Sequence, residues 1–155
     1  MGLSSELVEG PNEKERQMQK LTFFPLGNAD TTLIDLANGE KILFDYANRR
    51  NADDDDDDKR VDLPYELRKD LGSRVYYDVV AFTHLDQDHY DGMTEFFFLE
   101  HDKKYQGKVD GKERIKLNIM WVPAAVITEE LDEEESKIVQ AEARYRLKNK
   151  KGIRV

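Results

Sequence analysis

The sequence predicts an α+β fold: a meander of antiparallel strands, then a helix that leads into a buried strand, then further short elements. Three observations predict it. Two turn-forming stretches, 27–30 and 37–40, separate apolar runs of strand length. Leucines recur every four residues over 63–71 and give a helix one apolar stripe. The run 79–82 is apolar, β-branched and aromatic, and its short length indicates a buried strand.

The length of the chain indicates one domain, because 155 residues are enough for a single hydrophobic core but not for two. We expect residues 1–20 to form a polar leader, with a short helix over 12–19, and residues 21–155 to form the domain. No apolar run approaches the roughly 20 residues of a membrane span, and the N-terminus lacks the apolar core of a signal peptide. The expected location is therefore the cytoplasm, with no membrane partner.

The charge of the chain limits its partners. Its net charge of −9 argues against a surface that coats nucleic acid generally, because Lys and Arg that neutralise phosphates dominate such binding. This argument does not exclude a local basic groove. The chain has no cysteine, which excludes disulfides and thiolate metal sites.

Strands are expected at 21–26, 31–36 and 41–46, and an Asn-Gly pair between the last two is a strong hairpin signal. Six consecutive aspartates lie within 51–60, and their repulsion predicts a solvated acidic loop. An alternative role for these aspartates is to bind calcium or to dock a protein.

A helix is predicted over 61–71, with Pro64 near its start and Gly72 just past its end. It leads into a strand over 77–82, which makes an α/β-type crossover. The polar residues after this strand are thereby placed at its carboxyl end, where catalytic groups commonly lie.

The next elements are predicted from shorter signals. A short helix is expected over 93–99, where three phenylalanines anchor it to the core; a stacking surface for bases is the alternative. His101 lies in a charged context and is predicted to be a surface residue rather than a ligand. Residues 103–114 are predicted to form a polar loop, whose lysines could contact a phosphate backbone.

The C-terminal part alternates strand and helix. A strand is predicted over 115–122, and 152–155 is expected to start another. Between them a helix is predicted over 128–151, with Thr128 as its N-cap, acidic residues in its first turns and lysines in its last.

The strongest functional signal is the set of imidazoles and carboxylates that follows the strand at 77–82. His84 and Asp86 are two residues apart and can converge on one ion, whereas Asp88 and His89 are adjacent and are expected to diverge. If one pair binds one metal ion, the other pair is placed for a second, as in two-metal hydrolysis. Nitrogen and oxygen donors without thiolates suit zinc, manganese or iron. A solvated acidic turn is the alternative.

The pattern Thr-His-x-Asp-x-Asp-His-x-x-Gly at 83–92 resembles the metal-binding signature of the metallo-β-lactamase fold. It is the variant with aspartate in place of the second histidine, which is typical of the hydrolase domain of ComEC-type competence proteins and their soluble relatives. Residues 21–34 resemble that family's first two strands and the glycine-centred turn between them. Residues 38–45 resemble its hairpin and third strand, which end in the first motif aspartate, Asp45.

The resemblance implies a metal-dependent hydrolase that acts on phosphodiester bonds, with nucleic acid or another phosphodiester as substrate. It implies two divalent ions, zinc or manganese, with His84, Asp86, Asp88 and His89 as ligands. Asp88 would also orient the attacking water as the catalytic residue, and Asp45 would support the ligand loop through hydrogen bonds. Hydrolysis of a lactam, thioester or lactone is less favoured, since those branches more often keep histidine at the position of Asp86.

The family fold is an αββα sandwich whose second half supplies further ligands, and the sequence is expected to be its N-terminal half. The missing half or a partner chain would then complete the site. The alternative is a non-catalytic half-domain that acts as a protein-interaction module. In either case an exposed apolar face is expected to cause homodimers or poor solubility.

Overall fold

The computed structural model describes residues 18–50 and 57–155 as a mixed α/β structure with one seven-stranded sheet and four α-helices. The strands are β1 (Lys20–Phe23), β2 (Thr32–Asp35), β3 (Lys41–Phe44), β4 (Tyr76–Ala81), β5 (Phe97–Phe98), β6 (Ile115–Trp121) and β7 (Ile153–Arg154), and the helices are α1 (Leu63–Leu71), α2 (Met93–Phe96), α3 (Ala124–Thr128) and α4 (Glu134–Lys148). The strand order is β1-β2-β3-β4-β6-β5, and β7 also pairs with β6. None of the described helices has the length and hydropathy to cross a membrane. Most of the predicted leader, with its helix over 12–19, and residues 51–56 of the predicted acidic loop lie outside the described residues.

The antiparallel meander is confirmed, since β1 pairs with β2 and β2 with β3 in antiparallel register. Gly39 turns the chain between β2 and β3 with a φ of 86°, and its N–H donates to the carbonyl of Leu36 at 2.9 Å. Glycine tolerates this φ because it has no Cβ to clash. The strands are shorter than predicted, at four residues each.

The crossover from β3 through α1 to β4 is also confirmed, because β3 and β4 are parallel. Asp62 caps the start of α1, where its carboxylate accepts a hydrogen bond from the N–H of Tyr65 at 3.0 Å. Gly72 ends the helix with a φ of 59°. The three leucines of the predicted stripe are buried against the sheet.

The helix predicted over 128–151 is two helices, α3 and α4, so its predicted start is wrong. Thr128 is the last residue of α3 and not an N-cap; its hydroxyl donates to the carbonyl of Ala124 at 3.2 Å. The buried side chain of Gln140, on α4, donates to two carbonyls at the end of α3 at 2.8 and 2.9 Å, and so satisfies acceptors that the end of a helix leaves unpaired. Such a contact between helices has no local sequence signal.

The helix predicted over 93–99 stops at Phe96, and the next two residues form β5, parallel to the start of β6. Phe96 and Phe97 are both buried. Their ring centroids lie 4.8 and 5.4 Å from that of Tyr46. These rings build the core, so the alternative of a base-stacking surface is wrong.

One face of the sheet forms the hydrophobic core with α1, α3 and α4. Its central row crosses four strands through Leu33, Leu43, Val80 and Met120, which are paired in register. Each of these side chains is at most 1% exposed. Because successive residues of a strand point to opposite faces, the residues on either side of this row point away from the helices.

The opposite face of the sheet is apolar, and we call it the open face. Two rows paired in register form it: Leu21, Ile34, Ile42, Val79 and Ile119, and Phe23, Thr32, Phe44, Ala81 and Trp121. Within the part of the chain that the structure describes, none of these side chains joins the core beneath the helices. At the β1 edge Leu21 is 56% exposed and Phe23 is 72% exposed.

A buried ion pair joins α4 to the strands. Glu142 and Arg146 are 0% and 2% exposed, and the Arg146 Nε donates to the Glu142 carboxylate at 2.6 Å. His101 donates to the same carboxylate from its backbone N–H and from its ring Nδ1, each at 2.9 Å. The His101 side chain is only 14% exposed, so the prediction of a surface residue is wrong. Its partner lies 41 residues further along the chain, beyond any local pattern.

Candidate functional site

The polar loop, residues 83–92, lies between β4 and α2, at the carboxyl end of β4, as predicted. Since β3 and β4 are parallel, β3 ends at the same edge of the sheet. A 3-10 turn spans Gln87–His89 inside the loop. Gly92 leads into α2 with a φ of 77°, which residues with a side chain rarely adopt.

Asp45 holds the start of the polar loop. It directly follows β3, is 4% exposed and has a φ of 55°, a conformation uncommon outside glycine that aspartate tolerates. Its Oδ1 accepts a hydrogen bond from the Thr83 N–H at 2.7 Å, and its Oδ2 accepts one from the Thr83 hydroxyl at 2.6 Å. The same Oδ2 lies 3.1 Å from His89 Nδ1. This one carboxylate therefore joins the first residue of the loop to a ring near its end.

The contact with Asp45 favours one tautomer of the His89 ring. A carboxylate oxygen 3.1 Å from Nδ1 repels a lone pair on that nitrogen, so it favours the proton on Nδ1. Nε2 then has the lone pair, which is the form of histidine that binds a metal ion. The His89 side chain is 15% exposed, so its ring stays partly open to solvent.

The backbone after β3 continues alongside the polar loop. The N–H of Asp45 donates to the carbonyl of Ala81 at 2.7 Å, and the N–H of Tyr46 donates to that of His89 at 3.0 Å. Two residues later, a third such bond of 2.8 Å joins Asn48 to the carbonyl of Asp91. These bonds fix the loop along most of its length.

The four predicted ligands lie on this loop, but their side chains do not converge on one point. The ring centroids of His84 and His89 are 5.0 Å apart. Asp88 Oδ1 lies 3.9 Å from His89 Nε2, so the prediction that these neighbours diverge is wrong; the tight 3-10 turn brings them together. Asp86 is exposed at the start of that turn. Among the described residues, no group of three or more His, Asp or Glu side chains is positioned to hold a metal ion.

The chemistry of the donor set nevertheless fits a divalent ion. Two donors that are each about 2.0–2.2 Å from a zinc ion lie within about 4.4 Å of each other. The 3.9 Å between Asp88 Oδ1 and His89 Nε2 meets that limit. His84 and Asp86 are exposed, and exposed side chains change rotamer within nanoseconds, so their present positions do not prevent them from joining that pair.

Sequence reasoning missed two residues that position the loop. Thr83 stands in the motif, but its double hydrogen bond to Asp45 was not predicted. Glu135, in the first turn of α4, accepts hydrogen bonds from the N–H groups of Gly92 and Thr94 at 3.1 Å each, and from the Thr94 hydroxyl at 2.9 Å. Glu135 and Gly92 are 43 residues apart, so no local pattern signals this contact.

Comparisons with known proteins assign the chain to no family. No protein-family model matches it, and neither the curated proteins nor the solved structures give a significant match. The resemblance to the metallo-β-lactamase fold therefore rests on the residues of the polar loop and of the strands before it.

Proposed function

We propose that this protein is a metal-dependent hydrolase of the metallo-β-lactamase type, with the polar loop as its metal-binding loop. The observation that carries the proposal is the buried carboxylate of Asp45. It holds Thr83 with two hydrogen bonds and lies 3.1 Å from His89 Nδ1, where it favours the tautomer with a free Nε2. Carboxylates placed behind ligand histidines in this way orient metal sites in proteins.

In this proposal His84, Asp86, Asp88 and His89 hold two divalent ions, zinc or manganese. Bound ions of this kind lower the pKa of water and stabilise negative charge on a phosphorus centre. Asp88 is half-buried beside His89 and would accept a proton from, and so orient, the attacking water. Asp45 would act through His89 and Thr83 without contacting the substrate.

We propose phosphodiesters as the substrate class, because the aspartate at position 86 resembles the nuclease-like variant of the motif. The αββα sandwich is the matching fold, and a mixed sheet that, among the described residues, packs its helices against one face is consistent with it. Nucleic acid is the proposed natural substrate.

The first test is the metal content of the purified protein. We expect near-stoichiometric zinc or manganese by inductively coupled plasma mass spectrometry, and loss of most of it in the double variant His84→Ala, His89→Ala. Removing two of four donors leaves each ion with too few ligands to be retained. The variant Gln87→Ala is the matched control, since Gln87 is exposed in the same loop and is not a proposed ligand.

Equal metal content in the double variant and the control would reject the polar loop as the metal site. Metal that is lost in the double variant, together with hydrolysis of bis(p-nitrophenyl) phosphate that depends on added zinc or manganese, would support the proposed reaction. The same metal loss without any hydrolysis would favour a metal-stabilised module without catalytic activity.

A second candidate function is a protein-interaction module, and the open face favours it. Contiguous apolar surfaces of this kind mark interaction sites in soluble proteins. Its two rows span β1 to β6 and end in the exposed side chains of Leu21 and Phe23. This face would receive either another chain or a second copy of this one, as the expected homodimer.

Charge on the open face is expected to abolish self-association. We expect wild-type protein to form concentration-dependent dimers in sedimentation velocity, and the double variant Leu21→Lys, Phe23→Lys to be monomeric, because association would bury two unpaired ammonium groups. The matched control is Tyr65→Lys, on α1, where the native tyrosine is also 56% exposed but lies on the helical side of the sheet. A wild-type monomer at all concentrations would exclude the homodimer.

A further inference from the structure

A cleft lined by three arginines lies next to the polar loop, and we call it the arginine cleft. It has a volume of about 740 Å³ and an open mouth. Its lining residues are Leu26, Gly27, Asn28, Asn48, Arg49, Arg50, Arg60 and Asp91. Three guanidinium groups in one cleft contrast with the net charge of −9 of the whole chain.

The cleft is continuous with the polar loop. Asp91 belongs to both, and its carbonyl accepts the N–H of Asn48 at 2.8 Å. Arg49 and Arg50 follow Asn48 directly, so the segment that begins with Asp45 and runs alongside the polar loop carries two arginines into the cleft. A ligand in the cleft that extends past Asp91 reaches the loop that carries the proposed metal ligands.

A glycine turn also lines the cleft. Gly27 has a φ of 73°, which favours glycine, and a Cβ at this position would make an ordinary contact of 3.6 Å with the Cδ of Arg60. The stem of Arg60 therefore lies beside this turn, which places the third arginine at the cleft.

The arginines are paired with carboxylates that a stronger anion can replace. Arg60 donates to the Asp58 carboxylate from Nε at 2.9 and 3.0 Å and from a terminal nitrogen at 2.6 Å. A guanidinium group binds phosphate with the same two-pronged arrangement of N–H groups. Arg49 Nε lies 3.5 Å from the carboxylate of Asp91, and both residues line the cleft. Asp58 thus occupies the position that a phosphate oxygen pair would take.

We propose that the arginine cleft binds backbone phosphates of a nucleic acid strand next to the phosphodiester at the polar loop, and that Asp58 is displaced from Arg60 when the strand binds. The substrate class rests on the proposed function, but the binding itself does not need the metal ions. An acidic protein repels a polyanion at long range, so a strand would be retained only where positive charge is concentrated. Arginine suits this task because its planar fork matches phosphate.

The test is binding of a short fluorescein-labelled oligothymidylate to the full chain, followed by fluorescence anisotropy in the presence of a chelator. We expect Arg60→Gln to weaken binding about tenfold and to lower the slope of log K against log salt by about one, because one phosphate contact is lost. The matched control is Lys148→Gln, which removes the same charge from an exposed position at the far end of α4. We expect less than a twofold change for it.

A second pair of variants tests the role of Asp58. Asp58→Asn is expected to tighten binding about tenfold, since it frees the Arg60 fork from a charged competitor. Its control is Asp57→Asn, which removes the same charge from the exposed neighbouring residue and is expected to tighten binding by less than twofold. This pair of variants tests the proposal even if Arg60→Gln does not fold, because an unfolded chain cannot bind more tightly than the wild type.

The proposal is overturned if Arg60→Gln and Lys148→Gln weaken binding equally, or if the two aspartate variants tighten it equally. Either result would mean that the change in binding affinity follows from net charge alone. A competition experiment distinguishes a nucleic acid strand from a small polyphosphate as the ligand. If pyrophosphate at the same phosphate concentration displaces the oligothymidylate, the cleft binds a small polyphosphate and the proposed strand is rejected. Because a chelator is present throughout, loss of hydrolysis or of bound metal leaves this result unchanged, so the two proposals fail separately.

Discussion

Replacing Glu142 by alanine is expected to lower the free energy of unfolding by about 3 kcal/mol, because the buried Arg146 guanidinium loses its hydrogen-bonded carboxylate and keeps only the more distant Glu100, at 3.7 Å. Arg146 is 2% exposed and cannot reach water without opening the helix layer. His101 would lose its acceptor as well. We expect the result as a lower urea midpoint at an unchanged m-value.

The guanidinium of Arg146 makes this loss large, because it also holds the C-terminal part of the sheet. It donates to the carbonyls of Leu117 and Asn118 in β6 at 3.1 and 3.3 Å, and to that of Gly152 before β7 at 3.0 Å. Glu142 keeps the guanidinium in the orientation that reaches all three. Without it, both the pairing of β7 and the packing of α4 are weakened.

Two control variants separate charge from side-chain truncation. Glu142→Gln keeps one carbonyl acceptor and is expected to cost less than the alanine variant, because part of the hydrogen bonding survives. Glu134→Ala, at a 93% exposed position of the same helix, is expected to change stability by no more than about 0.5 kcal/mol. Equal effects of Glu134→Ala and Glu142→Ala would contradict the structural account.

The same carboxyl predicts how stability depends on pH. Burial by itself raises the pKa of Glu142, but the hydrogen bonds from His101 and Arg146 outweigh it and lower the pKa from 4.5 to about 2. A carboxyl with a lowered folded-state pKa stabilises the fold above its unfolded value and loses that contribution as the pH falls. We therefore expect about 3 kcal/mol to be lost between about pH 4.5 and pH 2, at 1.36 kcal/mol per pKa unit. Glu142→Gln is expected to lack this loss when urea midpoints are compared across that range.

Asp45→Asn is expected to reduce metal affinity by about 10–100-fold, the usual cost of losing a hydrogen-bond partner of a metal ligand. Asparagine tolerates the φ of 55° at this position, so the backbone is kept. It lacks the negative charge that lies 3.1 Å from His89 Nδ1 and favours the proton on that nitrogen. The measurement is isothermal titration of the metal-free protein with zinc and with manganese.

Two further variants show that this effect is specific to the site. Asp35→Asn is the control, because Asp35 is a half-buried aspartate that pairs with Lys41 at the other end of the meander strands. It is expected to leave metal affinity unchanged. Asp45→Ala is expected to cost about 2–4 kcal/mol of stability in addition, since the Thr83 N–H and hydroxyl lose their acceptor and alanine is strained at positive φ. Unchanged metal affinity in Asp45→Asn would remove Asp45 from the proposed centre.

Elements with local signals could be predicted from the amino-acid sequence. The Asn-Gly turn predicts the hairpin between β2 and β3, and the leucine stripe with its proline and glycine ends predicts α1. The apolar run before the polar loop predicts β4 and places the loop at the carboxyl end of that strand. These predictions succeed because hairpin turns, helix caps and the periodicity of burial involve residues only a few positions apart.

Contacts between residues far apart in the sequence depend on the packing of the whole fold. Gln140 binds the end of α3, Glu142 holds His101 against α4, and Glu135 ties the polar loop to α4, each across at least 11 residues. The arginine cleft likewise forms where the turn at Gly27 meets residues 48–50 and Arg60. Hydrogen bonds between side chains and distant backbone groups satisfy polar atoms that folding buries, and which atoms are buried together is fixed only when the sheet and helices pack.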